Sequence, residues 1–546
     1  MNTSSQIVYE ERNSNVGLGE TIRFRLPNNI MLLNTQESYL RFNFVVGTKG
    51  KQAGFVSGDE ADEAHYLPWT FGEGGAYNLI KNLVIRDYTS GITLETIEGY
   101  NLLNRVLVNY TKNESEKNLD RLYCGADNEK VRAVNTLTRR TVAGTGASTA
   151  GETQENMEIE VILPLKLSGI LNNAQPYPNA LAPLEVEILL EDEVYKVLHV
   201  QGQQLGGEAA NFEDNKDVQN EVAGYQNDTI TYCVDGTPNG AQTTVEILRT
   251  TNAGNDNIFT GDLVASETPN FPFFNGQACI IETSSGDEEI VINNIALDGQ
   301  RLQLTFDSVT FTNVTAFPKI YVKVPDSRPT CTLSELQLVC GVVTPEANQM
   351  TAIESAVKSG QGYGYAYKSF QDFPVNNNAN ALQVSNLINC RLRMCKAILC
   401  FWENVGGVYK VQQDNLLPDL DSSVAPKSYQ FKYHGLLTPA RTVDLARYNR
   451  TRNQPGAWGA VHIKELEQAL GCCGYPVKDL SNVDGCLMFG RGLVPVKSSY
   501  VDNLDDNEET RLNIKYSAQG QSLLQHNYVC HNKTFVIKSS GKMVEE

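Results

Sequence analysis

From Thr21 the chain alternates, with Ile22, Phe24 and Leu26 on one side and Thr21, Arg23 and Arg25 on the other. After a break at Pro27–Asn29 the pattern returns, placing Leu40, Phe42, Phe44 and Val46 on one face. A period of two marks a half-buried strand. Such alternation suits an antiparallel sheet with one wet face better than a parallel sheet covered on both. The same period predicts strands over Glu158–Leu163, Leu184–Leu190, Thr332–Val343, Arg511–Tyr516 and Thr534–Lys538. In the second half Ile388, Cys390, Leu392 and Met394 share a face, and the run stays apolar through Phe401 and Trp402, which predicts one long strand.

Helices are few and short. Between Gly74 and Tyr110 a strand carrying Leu83 and Ile85 turns at Thr89, Ser90 and Gly91. Tyr100, Leu103 and Leu107 then recur at helical spacing, with Glu95 and Glu98 near the expected start and Arg105 late, a charge order that suits a helix dipole. A second helix is predicted over Glu114–Tyr123, with Leu119, Leu122 and Tyr123 as its apolar side and Gly125 beyond its end. Thr351 and Glu354 have capping-box spacing, predicting a helix over Ala352–Lys358. Val461–Leu470 predicts another, with Ile463, Leu466 and Leu470 inward.

Turn-rich stretches divide these elements. Lys49–Tyr66 reads as an acidic loop and Thr141–Glu155 as a low-complexity loop, exposed and mobile. After Val200 the composition shifts to Gly, Asn, Gln and Asp. Within 201–317 short apolar runs alternate with the turn clusters SSGDE and ALDGQ, predicting a β-rich insertion built from hairpins. The expected organisation is an N-terminal arm at 1–15, a first sandwich at 16–345 containing that insertion, and a second at 346–546. The polar arm, with Ile7, Val8 and Tyr9 as its apolar cluster, is expected to order only against a neighbour. The two halves share a style of strands with few helices, and no residue-level repeat links them.

A chain of 546 residues exceeds what one hydrophobic core supports, so two or three domains follow. A net charge of −19 and the lack of a long basic run make wrapping nucleic acid an improbable task. The start MNTSSQIVYEERN has no apolar core of a secretion signal, and no 18-residue apolar run offers a membrane span. The 12 Cys are therefore expected as buried free thiols of a protein made in a reducing compartment. Asn109 and Asn313 then begin chance Asn-x-Thr triplets.

Candidate chemistry is sparse. Cys390, Cys395 and Cys400 stand five apart, which on one strand sends neighbours to opposite faces and forbids a shared metal. Cys472, Cys473 and Cys486 lack the paired spacing of a zinc site. His526, Cys530 and His531 cluster near the C-terminus, and satisfied polar side chains are the expected reading. Gly362–Tyr367 (GYGYAY) lacks the glycine spacing and the helix of a phosphate loop. It reads as an edge strand or interface segment. The pairs Asp192/Glu193, Glu288/Glu289 and Asp505/Asp506 read as solvated turns, and DDNEE at 505–509 as a loop with oxygen ligands suited to Ca²⁺ at most. No catalytic, cofactor-binding or metal residue is assigned, no cofactor is expected, and no enzymatic activity is expected.

Taken together, Gly17–Val46 (GLGETIRFRLPNNIMLLNTQESYLRFNFVV) and the following GGAYNLIKNLVIRDYTSGITLETIEGYNLLNR resemble the N-terminal part of the double jelly-roll major capsid proteins of polinton-like viruses, adintoviruses and virophages. Weaker likeness continues around Leu184–Leu190 and Thr332–Tyr367. The resemblance implies an all-β chain of two antiparallel jelly-roll sandwiches. It implies a homotrimer of pseudo-hexameric outline, tiled with neighbouring capsomers and with penton and minor or cement proteins into an icosahedral shell of a virion made inside the host cell. No sequence-specific nucleic-acid binding is implied, and contact with an internal membrane stays open. A two-sandwich carbohydrate-binding or fibre-type adhesin is the alternative of a different class, and a β-rich hydrolase ranks last.

Overall fold

The computed structural model describes residues 2–12, 14–47, 69–72, 74–124, 138–143, 151–156, 159–200, 231–234, 238–251, 254–256, 278–283, 286–298, 301–311, 320–322, 330–378, 381–404, 426–445, 459–478, 487–496, 502–504, 509–516, 522–538 and 543–545. The loop at Lys49–Tyr66, Gly125, Cys486 and residues 505–508 lie outside them.

In chain order the first half runs β1 (Asn2–Tyr9), β2 (Val16–Gly17), β3 (Thr21–Arg25), β4 (Leu32–Gly47), β5 (Trp69–Phe71), β6 (Ile80–Asp87) and β7 (Thr93–Glu98). It continues with α1 (Tyr100–Thr111), α2 (Glu114–Cys124), β8 (Thr138–Ala143), β9 (Gly151–Asn156), β10 (Ile159–Leu163), β11 (Leu184–Leu190), the single turn α3 (Val194–Val197) and β12 (Leu198–Val200). Then come β13 (Thr231–Val234), β14 (Gly240–Thr251), β15 (Gly254–Asp256), β16 (Ala278–Thr283), β17 (Gly286–Asp298), β18 (Arg301–Phe311) and β19 (Ile320–Val322), followed by β20 (Thr330–Thr344). After α4 (Ala347–Lys358) the second half comprises β21 (Tyr363–Asp372), β22 (Val375–Asn377), β23 (Gln383–Ile388), β24 (Cys395–Asn404), β25 (Pro426–Tyr433) and β26 (Leu436–Asp444). It ends with α5 (Ala460–Cys472), β27 (Met488–Gly492), β28 (Thr510–Tyr516), β29 (Leu523–Ile537) and β30 (Met543–Glu545).

The pairing of these strands defines the fold. In the first half one sheet has the order β1-β20-β4-β10 and the other β3-β11-β6-β7, all antiparallel. Numbering the eight strands along the chain, the sheets read first-eighth-third-sixth and second-seventh-fourth-fifth. That is the order of a jelly roll. In the second half β21-β29-β24-β27 and β23-β28-β25-β26 repeat the same order strand for strand. The chain is therefore a double jelly roll, and the repeat that its residues do not display is carried by strand order. In each roll helices fill the connection from the fifth strand to the sixth: α1 and α2 between β7 and β10, α5 between β26 and β27. The strands β13–β19 form a separate sheet inserted between the seventh and eighth strands of the first roll. Two of its antiparallel pairs, β16–β17 and β17–β18, join strands that are consecutive in the chain.

Several expectations are corrected. The arm does not wait for a neighbour, because all eight residues of β1 pair with β20, from Asn2 opposite Thr344 to Tyr9 opposite Gln337. Its alternation is too short and too polar to stand out without that partner. Glu95 and Glu98 belong to strand β7, and α1 begins after Gly99, whose φ of 59° sets the turn into the helix. Leu119 of α2 points to solvent, 57% exposed, while Cys124 at its end is buried. That helix starts with a reciprocal cap in which Asn113 N donates to Glu116 and Glu116 N to the Asn113 side chain at 2.9 Å. The ends of the predicted loop at 141–155 pair as the hairpin β8–β9. α4 begins at Ala347, ahead of Thr351, so the capping box does not mark its start. The single strand expected through 388–402 is two, because the chain reverses between β23 and β24 with Met394 at φ 54°.

Candidate functional site: the junction between the two jelly rolls

The interior of the second roll is a core of its own, containing Ile398, Cys400, Trp402, Tyr429, Phe489, Leu512 and Val529. The interior of the first roll is continuous with a different set from the second: Tyr365, Tyr367, Phe370, Ala397, Leu399, Phe401, Tyr528, Cys530 and Phe535. Strand β24 divides its side chains between the two cores, even numbers inward to Cys400 and Trp402, odd numbers outward to Leu399 and Phe401. A strand buried on both faces reads as an unbroken apolar run, which is the character of AILCFW at 397–402. The two rolls thus share buried apolar surface, and burial of this kind is the main force holding them side by side.

Hydrogen bonds fix their registration. Tyr528 Oη donates to the carbonyls of Glu98 at 2.9 Å and Gly99 at 3.2 Å. Tyr367 Oη donates to Leu94 O, and Tyr365 Oη to Gln175 O at 3.2 Å. Asn173 Nδ2 donates to Ala366 O at 2.8 Å, and Gln175 Nε2 to Tyr363 Oη at 2.8 Å. The ring of Tyr177 meets that of Tyr365 edge-on at 5.3 Å, and Tyr365 stacks on Phe535 at 5.3 Å. From the helical side, Met488 N donates to Tyr110 Oη at 3.2 Å and Lys478 N to Tyr110 O at 3.1 Å, with Lys478 also ion-paired to Glu116. The GYGYAY stretch is therefore both things expected of it, the edge strand β21 and an interface segment whose alternate tyrosines face the first roll.

Glu95 organises the first roll's side. It is fully buried on β7 and accepts from Ser168 Oγ at 2.5 Å, Gly169 N at 2.9 Å and Ile170 N at 3.3 Å. Burial raises its pKa despite those donors. The loop it holds places Gly169 so that a Cβ would lie 1.6 Å from Lys368 O. The sequence pointed Glu95 to a helix start instead, because its partners come from 73 to 75 residues further on.

A charged cluster lies at the other end of the junction. His526 Nδ1 is 2.7 Å from Asp372 and its Nε2 3.4 Å from Glu403, and Glu403 lies 3.5 Å from Lys196 of the first roll. Burial disfavours charge on this imidazole, but the two carboxylates outweigh it and raise its pKa to about 9. His526 is thus a satisfied buried side chain. His531, on the same strand, is pushed down to about 4 by burial and by Lys533.

The cysteine trio is brought together in a way its spacing did not foretell. A bulge between Cys395 and Ala397 resets the alternation of β24, so Cys395 and Cys400 both face the second roll's core, which Cys390, ahead of that strand, also lines. Cys473 and Cys530 lie together in the apolar core of the junction. All of these are free and buried. Among the described residues no three His, Cys, Asp or Glu side chains are placed to hold a metal ion. Asp192 is a solvated residue 2.5 Å from Lys81, as expected of a turn, and Asn109 is buried on α1. Glu288 and Glu289 lie on β17 opposite Ile281 and Ile280. A cavity of about 420 Å³ opens between the rolls, lined by Lys166, Asn172, Lys368, Tyr475 and Asn532. Its lining offers amides, the amines of Lys166 and Lys368, and the Ser168 hydroxyl, which donates to Glu95. Among the described residues no helix is long and apolar enough to cross a membrane.

No protein-family model matches the chain, and no curated protein matches it. Solved structures do overlay on it. The PBCV-1 virus capsid is 8% identical with a TM-score of 0.48, covering 100% of this chain and 96% of that one. The Faustovirus major capsid protein is 9% identical at 0.49, covering 98% and 90%. The Sputnik virophage structure is 10% identical at 0.47, covering 100% and 88%. What defines the fold is the strand order within the chain itself.

Proposed function

We propose that the chain is a major capsid protein whose work is geometric. Its two sandwiches, at 16–345 and 346–546, would stand side by side in a shell, and three copies would form a homotrimeric capsomer with six sandwiches and a pseudo-hexameric outline. The observation that carries this reading is the pair of complete jelly rolls of identical strand order, welded by a shared apolar core and by tyrosines that reach across to backbone carbonyls. A chain built this way is a rigid block that contributes two like units to a ring.

In this role the insertion at 201–317 projects from the outer surface. The partners are other copies of the chain, neighbouring capsomers and penton or minor proteins, and the place of action is the virion shell. Sizing with negative-stain imaging tests it. A particle of about 181 kDa, three times 60.3 kDa, with a hexagonal outline supports the reading. A monodisperse single-copy protein at all concentrations overturns it.

A further inference from the structure

We infer that the cavity between the rolls is an anion site, suited to the phosphate group of a small phosphorylated compound and held by one lysine from each roll. The first roll supplies Lys166 from the connection between β10 and β11, and the second supplies Lys368 from β21. Gln36 of β4 and Asn532 of β29 add side-chain amides that no other group engages among the described residues. No carboxylate belongs to the lining among those residues. At about 420 Å³ the space is of the size that small-molecule ligands occupy.

The walls are held in place by the protein itself. Asn172 Nδ2 donates to Lys166 O at 2.8 Å and Tyr475 Oη to the same carbonyl at 3.2 Å, which fixes the backbone from which the Lys166 side chain projects. Lys368 Nζ donates to Cys473 O at the end of α5 and lies 4.4 Å from the centre of the Tyr475 ring. That carbonyl takes one of the protons of the ammonium and leaves the others for an oxyanion. The chain carries a net charge of −19, but salt screens separated surface charges over about 8 Å, so the groups nearby decide the sign at the cavity. Asp120, 3.8 Å from Lys166, is already paired with Lys112. Glu95 lies behind Ser168, whose hydroxyl donates to it, and the backbone N–H groups of Gly169 and Ile170 donate to it as well. Two ammonium groups facing one space suit a dianion, and lysine is a common phosphate ligand that acts as a point charge. Because its walls come from both rolls, the site exists only while the junction is closed, so a bound anion stabilises the junction by mass action.

Thermal melts of the full chain at constant ionic strength test this, with sodium phosphate, adenosine monophosphate, adenosine and sodium chloride as probes. Phosphate and adenosine monophosphate are expected to raise the melting temperature above the chloride value in a saturable manner, and adenosine to leave it unmoved. A larger rise with the nucleotide assigns the site to phosphomonoesters, and an equal or smaller one to the phosphate group alone. Lys166→Met, at a half-exposed position, is expected to weaken the apparent phosphate affinity about tenfold, the size of one charge-assisted contact, while keeping the melting temperature in chloride. Lys368→Met also loses the contact with α5, so its melting temperature in chloride falls, yet its response to phosphate is expected to weaken as much. Phosphate and nucleotide melts that match chloride, or a phosphate response that survives intact in both variants, overturn the site. Either result leaves the capsomer reading standing, since the cavity lies within one chain.

Discussion

Tyr528 and Glu98 are 430 residues apart in the chain, yet the phenol of the first donates to the backbone carbonyl of the second at 2.9 Å. The contact joins the eighth strand of the second roll to the end of the fifth strand of the first, where Gly99 turns the chain into α1. Gly99 is required there twice over: its φ is 59°, and a Cβ would lie 2.4 Å from Tyr528 Oη. Tyr528→Phe keeps the ring and removes the donor, leaving buried carbonyls short of a partner. A loss of about 1 kcal/mol is expected, read as a lower urea midpoint with unchanged slope.

Gly169 supplies a harsher test of the junction. A methyl group at this position would meet the backbone carbonyl of Lys368 at 1.6 Å, and a backbone atom in a paired strand cannot swing aside. Gly169→Ala is expected to cost about 3 kcal/mol, at the upper end of overpacking penalties, and to disturb the donors that satisfy Glu95. Gly364→Ala on the adjoining edge strand, where no atom lies within 4 Å of the added Cβ, is the control and should be nearly silent. Thermal melts of the two variants beside the wild type check the contrast.

The His526 cluster gives the protein a pH signature. Its folded pKa, about 9, lies above the ordinary 6.5, so the charged imidazole favours the folded state. The stabilisation is complete below about pH 6.5, declines as the unfolded chain loses its proton and is gone above about 9. The full effect is on the order of 3 kcal/mol for a shift of this size. Burial and Lys166 bring Lys112 down to about 8, so other groups titrate in the same range. The expected result is therefore a difference: urea midpoints of wild type and His526→Gln converge as the pH is raised from 6.5 to 9.

Much of this architecture was legible because it rests on local alternation. β11 falls on the predicted residues and β3, β10 and β28 within a residue, since each buries one face and wets the other, while β4 covers the predicted Leu40–Val46 but starts earlier, at Leu32. Where one residue breaks the period, the reading failed. The bulge at Cys395/Ala397 reverses which cysteines face the core, and the reversal near Met394 splits one apparent strand into two. The junction was the least visible part. Glu95 looked like a helix-start carboxylate because its true partners, Ser168 to Ile170, are remote in sequence. The tyrosines of β21 could be recognised as interface residues, but their acceptors are backbone carbonyls, which carry no sequence signal.

The N-terminal residues set the last expectation, because strand and arm respond oppositely to deletion. An arm that orders only on meeting a neighbour can be removed without harm to the isolated chain. β1 instead contributes the first strand of the first roll, pairs along its whole length with β20 and buries Val8 in the core. Without it β20 loses its ladder partner along Gln337–Thr344, and a new sheet edge lined by Val339 and Val343 is laid open. An edge of that kind pairs with other molecules unless it is covered. Deletion of residues 1–9 is therefore expected to lower the melting temperature of the isolated chain and to raise its light scattering at concentrations where the wild type stays clear. Equal stability of the truncated and full-length chains, with equal scattering, would return these residues to the status of a free arm.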